Sequence, residues 1–99
     1  MAKFIISCDS IQKPLADAVT RAIASAQYDY WHWIDDFWIV QTDKVHTAKF
    51  LWEFVTKSVP ALSVTTMLVA RIDSPQSYWG LAPNDAWTWL KGHEWGEPK

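Results

Sequence analysis

Apolar and polar positions alternate along residues 28–42, and β-branched and aromatic types dominate on both sides of Asp35-Asp36. That pattern predicts two strands joined by a tight turn. Pairing across a two-residue turn sets Ile34 opposite Phe37, Trp33 opposite Trp38, His32 opposite Ile39, Trp31 opposite Val40 and Tyr30 opposite Gln41. Trp31, Trp33, Trp38 and Val40 then share one face, expected to be core. Tyr28, Tyr30, His32, Ile34, Phe37, Ile39 and Gln41 share the other. This second face is too apolar to be wet and too polar to be an ordinary core, so it predicts a cover: another chain, a tail or a ligand.

The flanking segments carry their own periods. Residues 3–8 form a short apolar run bounded by Asp9-Ser10, read as a strand with Phe4, Ile6 and Cys8 on one face and Ile5 and Ser7 on the other. From Pro14 the period becomes helical, with Leu15, Ala18, Val19, Ala22, Ile23 and Ala26 on a stripe; Pro14 suits the first turn and Asp17 the positive helix end. Thr42-Asp43 offers a cap for a second helix with Ala48, Leu51, Trp52, Val55 and Val59 on its apolar stripe, Phe50 and Phe54 beside it, and Pro60 just past its end. Residues 63–72 read as a further strand, with Arg71 near its end. The order strand, helix, strand, strand, helix, strand predicts an α+β, ferredoxin-like domain, with an antiparallel sheet and both helices on one face. The other sheet face is left open. A late apolar loop over 78–83 and a short helix over 84–90, carrying Trp87, Trp89 and Leu90 and stopped by Gly92, compete to cover it. The whole chain, 1–99, is expected to be one domain, with its core at 2–73 and a C-terminal extension at 74–99.

Composition narrows the function. A formal charge of −2, from nine Lys and Arg against eleven Asp and Glu, argues against binding long nucleic acid, which needs a basic footprint. A small anionic ligand stays open. The single Cys8 excludes an internal disulfide, no apolar run reaches membrane-spanning length, and the start lacks a signal-peptide pattern, so a cytoplasmic protein is expected. Eight Trp supply large contact area, but each indole N–H needs a partner.

The first strand ending in Asp9, Trp31-His32 followed by an aromatic, Ile34-Asp35, Trp38-Ile39-Val40 with Thr42-Asp43, and the late Trp79-Gly80, Pro83 and Ala86-Trp87 together resemble the SinR-like family of small bacterial and phage proteins. These are in turn similar to the small endonuclease of the CRISPR adaptation complex. The resemblance implies a ferredoxin-like domain that dimerises through its sheet. It also implies, by position, that Asp9 would meet a metal at the dimer interface. The chain departs from the CRISPR relatives in having Cys8 before that Asp and an Ala-rich helix after it.

Candidate chemistry gathers at a few positions. Asp9 is read either as a Mg²⁺ or Mn²⁺ ligand shared across a dimer axis or as a cap on the loop near Ser10. His32, His46 and His93 lack metal-ligand spacing among themselves and with Cys8. Tyr28, Tyr30, Tyr78 and Trp79 would make a stacking platform for a base, or else pack under the C-terminal segment or at a dimer interface, with Arg71 and Asp9-Ser10 as further ligand contacts. His32, between Tyr30 and Ile34 on the same face, is read either as offering a ring nitrogen to a base edge, a phosphate or a ribose hydroxyl or as bonding the C-terminal segment. No nucleophile triad or Gly-rich phosphate loop is present. The expectation is a non-catalytic, homodimeric binding protein for a nucleotide-type ligand, without a cofactor. A phage or mobile-element protein that sequesters a nucleotide signal of host defence would fit. The alternatives are a metal-dependent endonuclease using Asp9 and a protein–protein adaptor.

Overall fold

In a computed structural model, residues 2–72 and 83–92 are described. Strand β1 (Ala2–Cys8) is followed by α1 (Lys13–Ser25), β2 (Asp29–Ile34), β3 (Phe37–Thr42), α2 (Ala48–Ser58), a 3₁₀ turn (Pro60–Val64), β4 (Met67–Ile72) and α3 (Asn84–Gly92). The strands form one antiparallel sheet in the order β2-β3-β1-β4. The molecule is thus α+β, with an architecture compatible with the ferredoxin-like arrangement.

One side of the sheet packs under α1 and α2. Phe4, Ile6, Trp38 and Val40 meet Val19 and Ile23 of α1 and Leu51 and Val55 of α2 in a continuous core, all of them fully buried. The alternation in β1 follows the predicted pattern, because the pleat sends Phe4, Ile6 and Cys8 one way and Ile5 and Ser7 the other. Helix α1 starts with Pro in its first turn. It ends in a left-handed residue, Gln27 (φ 63°), whose N–H reaches the Ala24 carbonyl at 2.9 Å while the Tyr28 N–H reaches Ile23 at 3.2 Å. These two bonds satisfy carbonyls that the helix end would leave open.

Local details depart from the sequence expectation. Asp17 lies beyond the first turn of α1 and pairs with Lys13 at 3.1 Å. The cap of α2 is Thr47, whose hydroxyl accepts from the Phe50 N–H at 3.2 Å; Thr42 instead ends β3 and accepts from the Lys44 N–H at 3.0 Å. Trp52 and Phe50 face outward, because the stripe meeting the sheet runs through Leu51 and Val55, a helical turn apart, which rotates their neighbours away. Strand β4 begins at Met67, since Pro60–Val64 winds into the 3₁₀ turn.

The largest departure is in the hairpin. Ile34 pairs with Phe37 as a two-residue turn demands, but the next pair is Trp31 with Ile39, then Tyr30 with Val40 and Asp29 with Gln41. Two residues, His32 and Trp33, stand against the single Trp38. This bulge shifts the register by one, and one residue of shift reverses the face of everything before it. Tyr28 and Tyr30 therefore pack against the helix-side core, and Trp31 lies on the opposite face.

On that opposite face, Trp31 and Ile39 form a second buried cluster with Ala86 and Leu90 of α3. The Trp31 indole N–H donates to the Ala86 carbonyl at 3.1 Å. The described part of the C-terminal segment thus covers the β2 side of the open face. Among the described residues no helix is long and apolar enough to cross a membrane.

Candidate functional site

The bulge contributes two side chains to a chemically varied pocket. The extra residue at His32-Trp33 interrupts the alternation of β2 and re-aims both side chains. His32 stacks on Trp38 with ring centroids 4.4 Å apart and planes within 4°. Its Nδ1 lies 3.0 Å from the Phe37 carbonyl. A carbonyl only accepts, so Nδ1 carries the proton of that bond. Trp38 in turn donates its indole N–H to the Thr20 hydroxyl at 3.0 Å, which ties the stack to α1.

His32 and Trp33 line a pocket of about 330 Å³ together with Ile11, Lys13, Asp17 and Asp35. Trp33 is 38% exposed and its ring lies 5.6 Å from that of Trp31. Lys13 and Asp17 enter as consecutive turns of one helix face, and Asp35 comes from the hairpin turn. The pocket combines an aromatic face, an oriented imidazole, one cation and two carboxylates. It suits a small polar ligand with a ring.

A second depression of about 300 Å³ lies where β1 hands over to α1, with Asp9, Ser10, Gln12 and Thr65 among its walls. Asp9 and Ser10 are exposed, and the Ser10 hydroxyl donates to the Asp9 carboxylate at 3.3 Å. Ser10 has φ 51°, and the Asp9 N–H donates to the Thr66 carbonyl at 2.9 Å, which fixes this corner to the start of β4. The described residues contain no group of three or more His, Cys, Asp and Glu that could hold a metal.

The predicted stacking platform is not assembled on the open face. Tyr28 is on the helix side, its ring 5.4 Å from Phe54, and burial pushes its hydroxyl above its ordinary range. Tyr30 is half-buried beside it, and His32 shares that side of the sheet through Trp38. The bulge is the cause, since a flat pairing would have turned all three the other way. Arg71 donates to the His46 carbonyl and so fastens the end of β4 to the loop before α2. Tyr78 and Trp79 lie outside the described residues. The structure brings Asp9 together with Ser10, and His32 together with Trp33, Lys13, Asp17 and Asp35. The last four escaped the sequence reading: Trp33 was assigned to core by the flat register, and Asp35 was explained as a turn residue. The Lys13/Asp17 spacing was a legible signal.

On the open face, Leu68, Ser7, Phe37 and Ile34 form one cross-strand row through all four strands. Leu68 is 60% and Ile34 54% exposed. This row is apolar and lies outside the cluster that α3 buries, although Phe37 borders both. Comparison with known proteins finds no matching family model, no matching curated protein and no matching solved structure.

Proposed function

We propose that the chain is a ferredoxin-like, non-catalytic binding protein that works as a homodimer and holds a nucleotide-type ligand in the pocket between α1 and β2. The observation that carries this reading is His32: its ring is stacked on Trp38 and fixed by the Phe37 carbonyl, so that an oriented imidazole shares a pocket with Trp33 and with Lys13 at its wall. An aromatic face holds a base at about 1–3 kcal/mol per stacked ring, and a single cation is enough for one phosphate without a basic surface. The negative net charge accords with a small ligand better than with a long polynucleotide.

The apolar row through Leu68, Ser7, Phe37 and Ile34 supports the homodimer, because a second copy meeting it would cover side chains that α3 leaves bare. The SinR-like resemblance supports the same association through the sheet. It is also the basis for the biological role we infer, sequestration of a nucleotide signal of host defence by a phage or mobile-element protein in the cytoplasm.

A second reading is favoured by Asp9, which is exposed at the end of β1 in its own depression. Two such carboxylates across a dimer axis would hold Mg²⁺ or Mn²⁺ for a nuclease. Denaturing the purified protein and analysing released small molecules by mass spectrometry separates the two. A released nucleotide is expected. Absence of any ligand, combined with cleavage of RNA or DNA that needs Mg²⁺ or Mn²⁺ and disappears in Asp9→Asn, would replace the first reading with the second.

A further inference from the structure

The pocket between α1 and β2 offers an unequal set of hydrogen-bonding groups. Lys13 lies 3.1 and 3.3 Å from the two Asp17 oxygens, so these two charges answer each other. His32 has committed its Nδ1–H to the Phe37 carbonyl, which leaves Nε2 as its one free ring nitrogen. Asp35 stands in the exposed hairpin turn, and no ion pair or hydrogen bond engages its side chain among the described residues. What remains uncommitted is therefore the Asp35 carboxylate, an acceptor, in the same pocket as Trp33. A ligand that fits must present N–H donors from a planar ring.

We propose that the base selected here is guanine, an inference that rests on the nucleotide-binding reading and names its ligand. The Watson–Crick edge of guanine carries two parallel donors, N1–H and the N2 amino group, which match the two oxygens of one carboxylate as a guanidinium does. Adenine sets its N1 lone pair against that carboxylate, cytosine does the same with N3, and uracil offers a single N–H flanked by carbonyl oxygens. Stacking on Trp33 accepts every base, so the choice falls to Asp35. The pocket volume of about 330 Å³ is near the lower limit for small-molecule sites, which fits one mononucleotide per protomer.

An arginine side chain carries the same paired donors, so the test must separate the two sources. The full chain is titrated calorimetrically near neutral pH with the 5′-monophosphates of guanosine, adenosine, cytidine and uridine, and with arginine amide. Guanosine monophosphate is expected to bind about tenfold or more tightly than adenosine monophosphate, the discrimination a bidentate base contact supplies. Asp35→Asn should abolish that preference while leaving residual, base-tolerant binding. Asn suits the same turn, so its urea midpoint should match wild type. Equal binding of all four nucleotides overturns the guanine assignment and leaves nucleotide binding standing, and a guanine preference that survives Asp35→Asn overturns the role of that carboxylate. Tighter binding of arginine amide than of any nucleotide overturns the assignment in favour of a peptide side chain. Binding of no nucleotide overturns both readings.

Discussion

Trp38 and Cys8 show how single side chains carry the sheet's helix-side face. Trp38 is fully buried, so its indole N–H must be satisfied inside the protein, and Thr20 does this from α1 at 3.0 Å. Thr20→Val keeps the shape but orphans that donor. It should cost about 1–3 kcal/mol in urea unfolding, and an unchanged midpoint would show that the bond contributes nothing. Cys8 is buried at the end of β1, and desolvation, reinforced by the nearby Asp36 carboxylate, pushes its thiol up to about 11 from an ordinary 9.0. The unfolded thiol ionises first, so the unfolded state binds fewer protons as pH rises and stability falls across that interval. Urea midpoints should therefore drop between about pH 9 and about pH 11, and Cys8→Ala should flatten part of that slope. An identical slope in the variant would remove Cys8 from the account. Burial of Tyr28 acts in the same direction.

At the scale of elements, the hairpin separates what the sequence could tell from what it could not. Alternation, turn residues and helical spacing located every strand and helix from Ala2–Cys8 to Asn84–Gly92 to within a few residues, because those signals are local. The bulge is not local. It places His32 on Trp38 and lets Trp31 find the Ala86 carbonyl, and both partners depend on tertiary packing that no run of residues in 28–42 announces. The candidate site was legible in part for the same reason: His32 stood out by type, whereas Trp33, Lys13 and Asp35 become its neighbours only once the bulge interrupts the alternation of β2. Helix α3 depends on this register as well, since it docks on Trp31 and Ile39 through Ala86 and Leu90. The Trp31 indole proton, buried and bonded to Ala86, is expected to exchange slowly with solvent in wild type; Leu90→Asp should release α3 and make it exchange rapidly by NMR. Retained protection would mean that α3 is held by something other than this cluster.

For the whole molecule, the two sides of the sheet divide the work. One side packs beneath α1 and α2 and, where the bulge opens it, forms the His32–Trp33 pocket. The other is covered by α3 near β2 and leaves Leu68 and Ile34 exposed in a row with Ser7 and Phe37, the row to which the proposed homodimer is assigned. Leu68 is 60% exposed, so Leu68→Asp leaves the monomer core alone and should halve the mass seen by light scattering. A dimer that persists would move the interface elsewhere. The proposed ligand binding and the proposed association thus fall on opposite sides of the sheet and should be separable by mutation. The central claim, that the bulge creates a nucleotide pocket between α1 and β2, is tested most directly by following the amide and indole resonances of the full chain while guanosine monophosphate is added. Saturable shifts centred on Lys13, Trp33 and Asp35, and lost in Trp33→Ala, are the expected result; shifts centred on Asp9 and Ser10, or no shifts at any concentration, would contradict it.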